Sequence, residues 1–138
     1  MDIVSKKINQ IKRKRAFEAR EERRTKLLEI YFNKIFNKTY LNQVIKLLDF
    51  LNEGINKKNN HIILKQSRGS FMVIYKSNGY YFSTWLFLIS KKEAFVRSAG
   101  LDNDRSLFKD SFVLPKDKDK AFKTFIDNIE LIDQKRPI

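Results

Sequence analysis

The pair Asn78-Gly79 constrains this chain more than any other two residues. Both residue types tolerate positive φ, which the two central positions of a type I′ turn demand. That turn matches the right-handed twist of the strands it joins. It lies between two runs, 70–77 and 80–89, in which side-chain character alternates with a period of two. A two-residue loop fixes the register: Ser77 opposite Tyr80, Tyr75 opposite Phe82, Val73 opposite Thr84, Phe71 opposite Leu86. One face of the hairpin then carries Phe71, Val73, Tyr75, Phe82, Leu86 and Leu88, and is expected to be core. The other carries Met72, Ile74, Lys76, Tyr81, Ser83, Trp85 and Phe87.

Two further strands are expected at about 61–67 and 93–98, reached through turns at Arg68-Gly69 and Lys91-Lys92. Residues 100–114 read as irregular, with a turn at Asp102-Asn103-Asp104 and at most a short strand over Ser111-Phe112-Val113. Outside this region the period is helical. Val4, Ile8 and Ile11, then Leu27, Leu28, Tyr31, Phe32, Ile35 and Phe36, mark one helix over residues 3–36. A second spans 40–53, with Leu41, Val44, Ile45, Leu48 and Leu51 on one face, Thr39 as cap and Gly54 as stop. A last helix covers 117–134, capped by Asp117, with Phe122, Phe125, Ile126, Ile129 and Ile132 as its apolar stripe. The expected fold is α+β: two N-terminal helices, the first long and basic, a four-stranded antiparallel meander, and a C-terminal helix. Residues 1–36 form a long basic helix or arm, and residues 37–138 a single α+β domain.

The arm is where composition matters. The chain has 29 Lys and Arg against 16 Asp and Glu, a net charge of +13. Residues 1–29 hold 10 cations and 5 acids, residues 61–100 hold 6 and 1, and residues 101–138 hold 8 of each. Basicity therefore belongs to the N-terminal half and the sheet. Within 6–15 there are six positive charges and no negative one. The four consecutive cations at 12–15 point round much of a helix, so its own acids cannot neutralise them all. Between Lys12 and Lys26 the only apolar residues are Ala16, Phe17 and Ala19. This stretch buries no broad face and relies on helix propensity and on pairs such as Arg15/Glu18, Glu21/Arg24 and Glu22/Lys26.

A field of this sign favours polyanions. The expected partner is nucleic acid, DNA or RNA, or a nucleoprotein complex. Lys6, Lys7, Lys12, Arg13, Lys14, Arg15, Arg20, Arg23, Arg24 and Lys26 would grip phosphates, and Lys65, Arg68, Lys91, Lys92 and Arg97 would extend the track. Anionic lipid fits less well, because the basic stretch has no matching band of large apolar residues. The mixed sheet face offers a second site, since Tyr81, Trp85 and Phe87 beside Lys76, Lys65, Arg68 and Arg97 suit stacking of unpaired bases. With 12 Phe in the chain, however, the expected role of these aromatics is a second layer of core beneath the helices.

Catalysis lacks its ingredients. There is no Cys and one His, His61, so no thiol nucleophile, His-based metal site or Cys/His pair is available. Asp49 and Glu53 share a helix face but read as solvated. Asp102-Asn103-Asp104 starts like a calcium loop, yet Leu107 stands where Gly is needed and Val113 where Glu is needed. Asp133-Gln134-Lys135 is the one carboxylate-x-Lys pattern, and it falls on a helix. No P-loop, zinc finger, homeodomain, RNP1 or KH pattern is present. The helix after the arm has only Lys46 as a cation, so it is not read as a recognition helix. No enzyme activity, cofactor or metal is expected.

The start, Met1-Asp2-Ile3-Val4-Ser5-Lys6-Lys7, leads into no apolar stretch, so no signal peptide is expected. Runs such as Trp85-Leu86-Phe87-Leu88-Ile89 fall well short of the roughly 20 residues that cross a bilayer. Cytoplasm is the expected compartment. The abundance of Lys, Asn, Ile and Phe fits an AT-rich phage or plasmid source. The alternative expectation is accordingly a small inhibitor or adaptor that docks on a nucleic-acid-handling complex, such as an anti-defence protein.

Overall fold

In a computed structural model, residues 2–53, 61–67, 69–77, 80–100 and 108–134 are described. The fold is α+β, with three helices and one antiparallel sheet among these residues. The chain runs α1 (Ile3–Ile35), α2 (Lys38–Asn52), β1 (His61–Ser67), β2 (Ser70–Ser77), β3 (Tyr80–Ser90), β4 (Glu93–Gly100), β5 (Phe108–Val113) and α3 (Lys118–Gln134). The sheet has five strands in sequential order, not four. β5 pairs along β4, from Glu93 opposite Val113 to Ser98 opposite Phe108. It is an edge strand, bonded on one side only, so the sequence Lys109-Asp110-Ser111 is tolerated there.

The hairpin register is the expected one. Ser77 faces Tyr80, Tyr75 faces Phe82, Val73 faces Thr84 and Phe71 faces Leu86. Asn78-Gly79 itself lies outside the described residues, as do Gly54, Arg68 and Asp102-Asn103-Asp104. The Lys91-Lys92 turn joins β3 to β4 where expected.

All three helices pack on one side of the sheet, the side of Phe71, Val73 and Leu86. Aromatic rings tie the layers together. Phe32 of α1 meets Phe71 edge-on at 4.8 Å, and Phe36 meets Tyr40 of α2 at 5.5 Å. Tyr40 meets Phe122 of α3 at 4.9 Å. Such edge-to-face pairs add about 0.5–1.5 kcal/mol each beyond the area they bury. Thr84 and Ser98 also face the core, and the Ser98 hydroxyl donates to Thr84 Oγ1 at 3.0 Å. The aromatics expected as a second layer of core, Trp85 and Phe87, sit on the opposite face instead.

Helix ends follow from side-chain chemistry. Asp2 caps α1 by accepting from the Ser5 N–H at 2.6 Å, and this bond holds its carboxyl below the usual pKa. Asn37, not Thr39, caps α2, by accepting from the Thr39 N–H at 3.0 Å. At the far end of α2, Asn52 covers the outer edge of β1. Its amide donates to the Ile62 carbonyl at 2.8 Å, and its oxygen accepts from the Ile62 N–H at 3.0 Å. That closes a stretch of backbone which would otherwise template pairing with another chain. Asp117 precedes α3, and its carbonyl accepts from the Ala121 N–H at 2.9 Å.

Candidate nucleic-acid interface

α1 has 33 residues, about 50 Å at 1.5 Å per residue. Only its C-terminal part is tied to the sheet. The first tie among the described residues is Arg24, whose guanidinium donates to the Ile89 carbonyl at 3.1 Å. Leu28 and Glu29 then pass over Gly69 in the β1–β2 turn, where a glycine lets two backbones approach. Lys91 lies over the Tyr31 ring at 4.5 Å, and Phe32 and Phe36 enter the core. Residues 6–24 are all exposed. The helix therefore reaches past the turn end of the sheet by some 20 residues, about 30 Å.

The predicted phosphate-binding residues separate into three groups. Lys6, Lys7, Lys12, Arg13, Lys14, Arg15 and Arg20 are exposed on the free part of α1 and make no ion pair among the described residues. Arg23, Arg24 and Lys26 are partly engaged. Arg23 Nε donates to the Ala19 carbonyl at 3.3 Å, Arg24 lies 3.9 Å from Glu21, and Lys26 lies 3.7 Å from Glu22. Lys91 and Lys92 are exposed at the turn beside Arg24 and Tyr31, so they continue the basic side of α1 onto the domain.

Lys65 and Arg97 are not part of this track. They are exposed on the sheet face turned away from the helices. Arg68 lies outside the described residues, and so do the side chains of Lys76 and Tyr81. Sequence reasoning did not single out Phe95 or Lys109. Phe95 stacks on Phe87 with ring centroids 6.0 Å apart, and Lys109 is the register partner of Arg97. Counting back from the Lys91-Lys92 turn would have placed Phe95 opposite Leu88, because the register shift between Leu88 and Ser90 that brings it opposite Phe87 leaves no mark in the sequence. Lys109 needed knowledge of β5.

His61 opens β1 opposite Lys76. Among the described residues no group of three His, Asp or Glu side chains is gathered as a metal site needs. No described helix is long and apolar enough to cross a membrane. What the arrangement can do chemically is present fixed positive charge along one rigid rod and at its base. No protein-family model, curated protein or solved structure matches the chain.

Proposed function

We propose that this is a non-enzymatic nucleic-acid-binding protein that grips the phosphate backbone through the basic N-terminal helix. One observation carries the reading. The part of α1 that holds six cations and no acid over residues 6–15 stands clear of the domain, exposed on all sides. Charge placed so is unavailable for packing and fully available to a polyanion. Its helix supports no core, so its sequence is free to serve a ligand. Binding would be driven by release of counterions from the phosphates and would read little sequence.

The test replaces Lys12, Arg13, Lys14 and Arg15 together by Gln. Fluorescence anisotropy with labelled single- and double-stranded DNA and RNA would be read at about 50 and 200 mM salt. The salt slope on duplex DNA is expected to fall by up to about 3.6, at roughly 0.9 for each phosphate that the variant no longer neutralises. Thermal stability should be unchanged, since none of the four is packed. An unchanged affinity and slope would remove the arm from the interface.

A second reading is a small phage- or plasmid-type inhibitor or adaptor that docks on a nucleoprotein. The exposed seam Val4, Ile8 and Ile11 favours it. Apolar residues at i, i+4 and i+7 beside cations are what a helix laid in a protein groove presents. On this reading the purified protein binds naked nucleic acid weakly and the assembled complex tightly.

A further inference from the structure

The sheet face opposite the helices has a band with an unusual composition. The register sets Lys65, Met72, Trp85 and Arg97 side by side across β1 to β4. Trp85 is 37% exposed, and Lys65 and Arg97 are exposed on either side of it. From Lys65 to Arg97 is three strand spacings, about 14 Å. The Arg97 guanidinium lies 5.9 Å from the Trp85 ring centroid. One row nearer the turns, Phe87 lies edge-on to Trp85 at 6.3 Å and stacks on Phe95 at 6.0 Å. The acid on this side of β4 is Glu93, at the turn, where the Ser111 hydroxyl donates to it at 2.7 Å. One row further from the turns, Ile74 and Ser83 are buried, so the open part is the band that Trp85 heads.

A single exposed aromatic needs no explanation. An exposed indole with Arg97 over its ring and Lys65 further along the same row, on a face that no described helix covers, is a different matter. We infer that this band stacks an unpaired base of a single-stranded nucleic acid on Trp85, with Lys65 and Arg97 taking the flanking phosphates. The inference rests on the nucleic-acid reading above and adds the ligand class to it. Every base has a π-face that an indole can cover, and the two cations complement a phosphate on each side. A duplex keeps its base faces in its own stack and has none to offer. A second copy of this chain fits poorly, because face-to-face packing would bring two rows of like charge together. The band lies about five residues, roughly 16 Å, from the β3–β4 turn where α1 crosses. It is therefore separate from the arm and can be tested separately.

Trp85 is the only Trp in the chain, so its fluorescence reports this band alone. The whole protein would be titrated with an oligothymidylate and with a blunt duplex of equal length. Trp85 emission and, in parallel, the anisotropy of end-labelled strands would be followed. Oligothymidylate is expected to quench Trp85, and the duplex to bind without quenching. Trp85→Ala is expected to weaken single-strand binding about tenfold, the weight of one base–aromatic stack, and to leave duplex affinity unchanged. Arg97→Gln should lower the single-strand salt slope by about 0.7 while keeping the fold, and decides the matter if Trp85→Ala does not fold. Single-strand binding without quenching would overturn the stacking site and leave the arm standing. Absence of both binding and quenching would overturn both. A concentration-dependent blue shift of Trp85 in the free protein would show a second copy covering the band and would also overturn the inference.

Discussion

Replacing Gly69 by Ala is expected to destabilise the fold by about 2 kcal/mol, and the sign is as informative as the size. Where the backbone suits any residue, Gly→Ala stabilises a protein by about 0.4–1 kcal/mol, because the unfolded chain loses freedom. Gly69 has φ of +65°, in the left-handed region, where a Cβ costs about 1–2 kcal/mol. A second cost follows from its neighbours. The added Cβ would stand 3.3 Å from the Leu28 carbonyl oxygen and 3.4 Å from the Glu29 nitrogen. Both are backbone atoms inside α1, so neither can swing aside as a side chain would. The helix or the turn must shift by a few tenths of an ångström. The helix is pinned on both sides of that point, by Arg24 on Ile89 and by Phe32 in the core. Gly69→Asn separates the two costs, because Asn tolerates the left-handed region but still carries a Cβ. Urea unfolding would rank wild type above Asn and Asn above Ala, with unchanged slopes. An Ala variant as stable as wild type, or more so, would refute both the strained φ and the close passage of α1.

The division of α1 into an anchored and a free part makes its own prediction. Phe32→Ala should cost about 3–5 kcal/mol by urea unfolding, whereas Ile8→Ala on the free part should stay within about 0.5 kcal/mol. The hydroxyl of Tyr40 donates to Asp119 Oδ1 at 2.7 Å; burial and then that bond raise its pKa above 10.0. The folded state holds this proton more tightly than the unfolded one, so the stabilisation is complete below pH 10 and lost as pH rises through the folded value. The stability difference between wild type and Tyr40→Phe should therefore shrink above pH 10, and a difference that stays constant there would refute the assignment.

The sequence showed the hairpin clearly because two signals agreed, a turn that admits only two residues between strands and a period of two on both sides. The apolar stripes of α1, α2 and α3 were equally plain, since Phe32, Val44, Leu48 and Phe125 recur at helical spacing. β5 was legible only in its second half, Ser111-Phe112-Val113, because an edge strand needs no apolar alternation and Lys109-Asp110 reads as loop. The cap of α2 was misplaced by two residues, because Asn37 and Thr39 both suit that position. Only the bond from the Thr39 N–H distinguishes them. The core face was legible too, because Phe71, Val73, Tyr75, Phe82, Leu86 and Leu88 form an unbroken apolar set whereas the other face carries Lys76 and Ser83. Pattern alone did not decide whether helices also cover that second face, with its Met72, Ile74, Trp85 and Phe87. Equally, nothing in the sequence marks Arg24 as a strut, because its partner is a backbone carbonyl 65 residues away.

The charges on the arm bear on the proposed nucleic-acid reading. Lys12 and Arg15, Arg20 and Arg23, and Arg20 and Arg24 stand three or four residues apart. Like charges at those spacings face one another and weaken a helix by about 0.2–0.5 kcal/mol per pair. The opposing pairs, Arg24 with Glu21 and Lys26 with Glu22, are exposed and return about as much. The arm thus gains little from its own charges and nothing from a core. It stays helical because the anchored turns from Arg24 to Ile35 have already met the cost of nucleation, and each further residue needs only to propagate. A phosphate backbone alters that balance. Anions set between facing cations would replace repulsion by attraction, so on the proposed reading the arm would stiffen on binding. Salt acts on the two states in opposite directions: it screens the repulsion in the free arm and competes with the bound phosphates. Neither this grip nor a stack on Trp85 reads a base edge. If both readings hold, the two together would give strong, salt-sensitive binding with little preference for sequence.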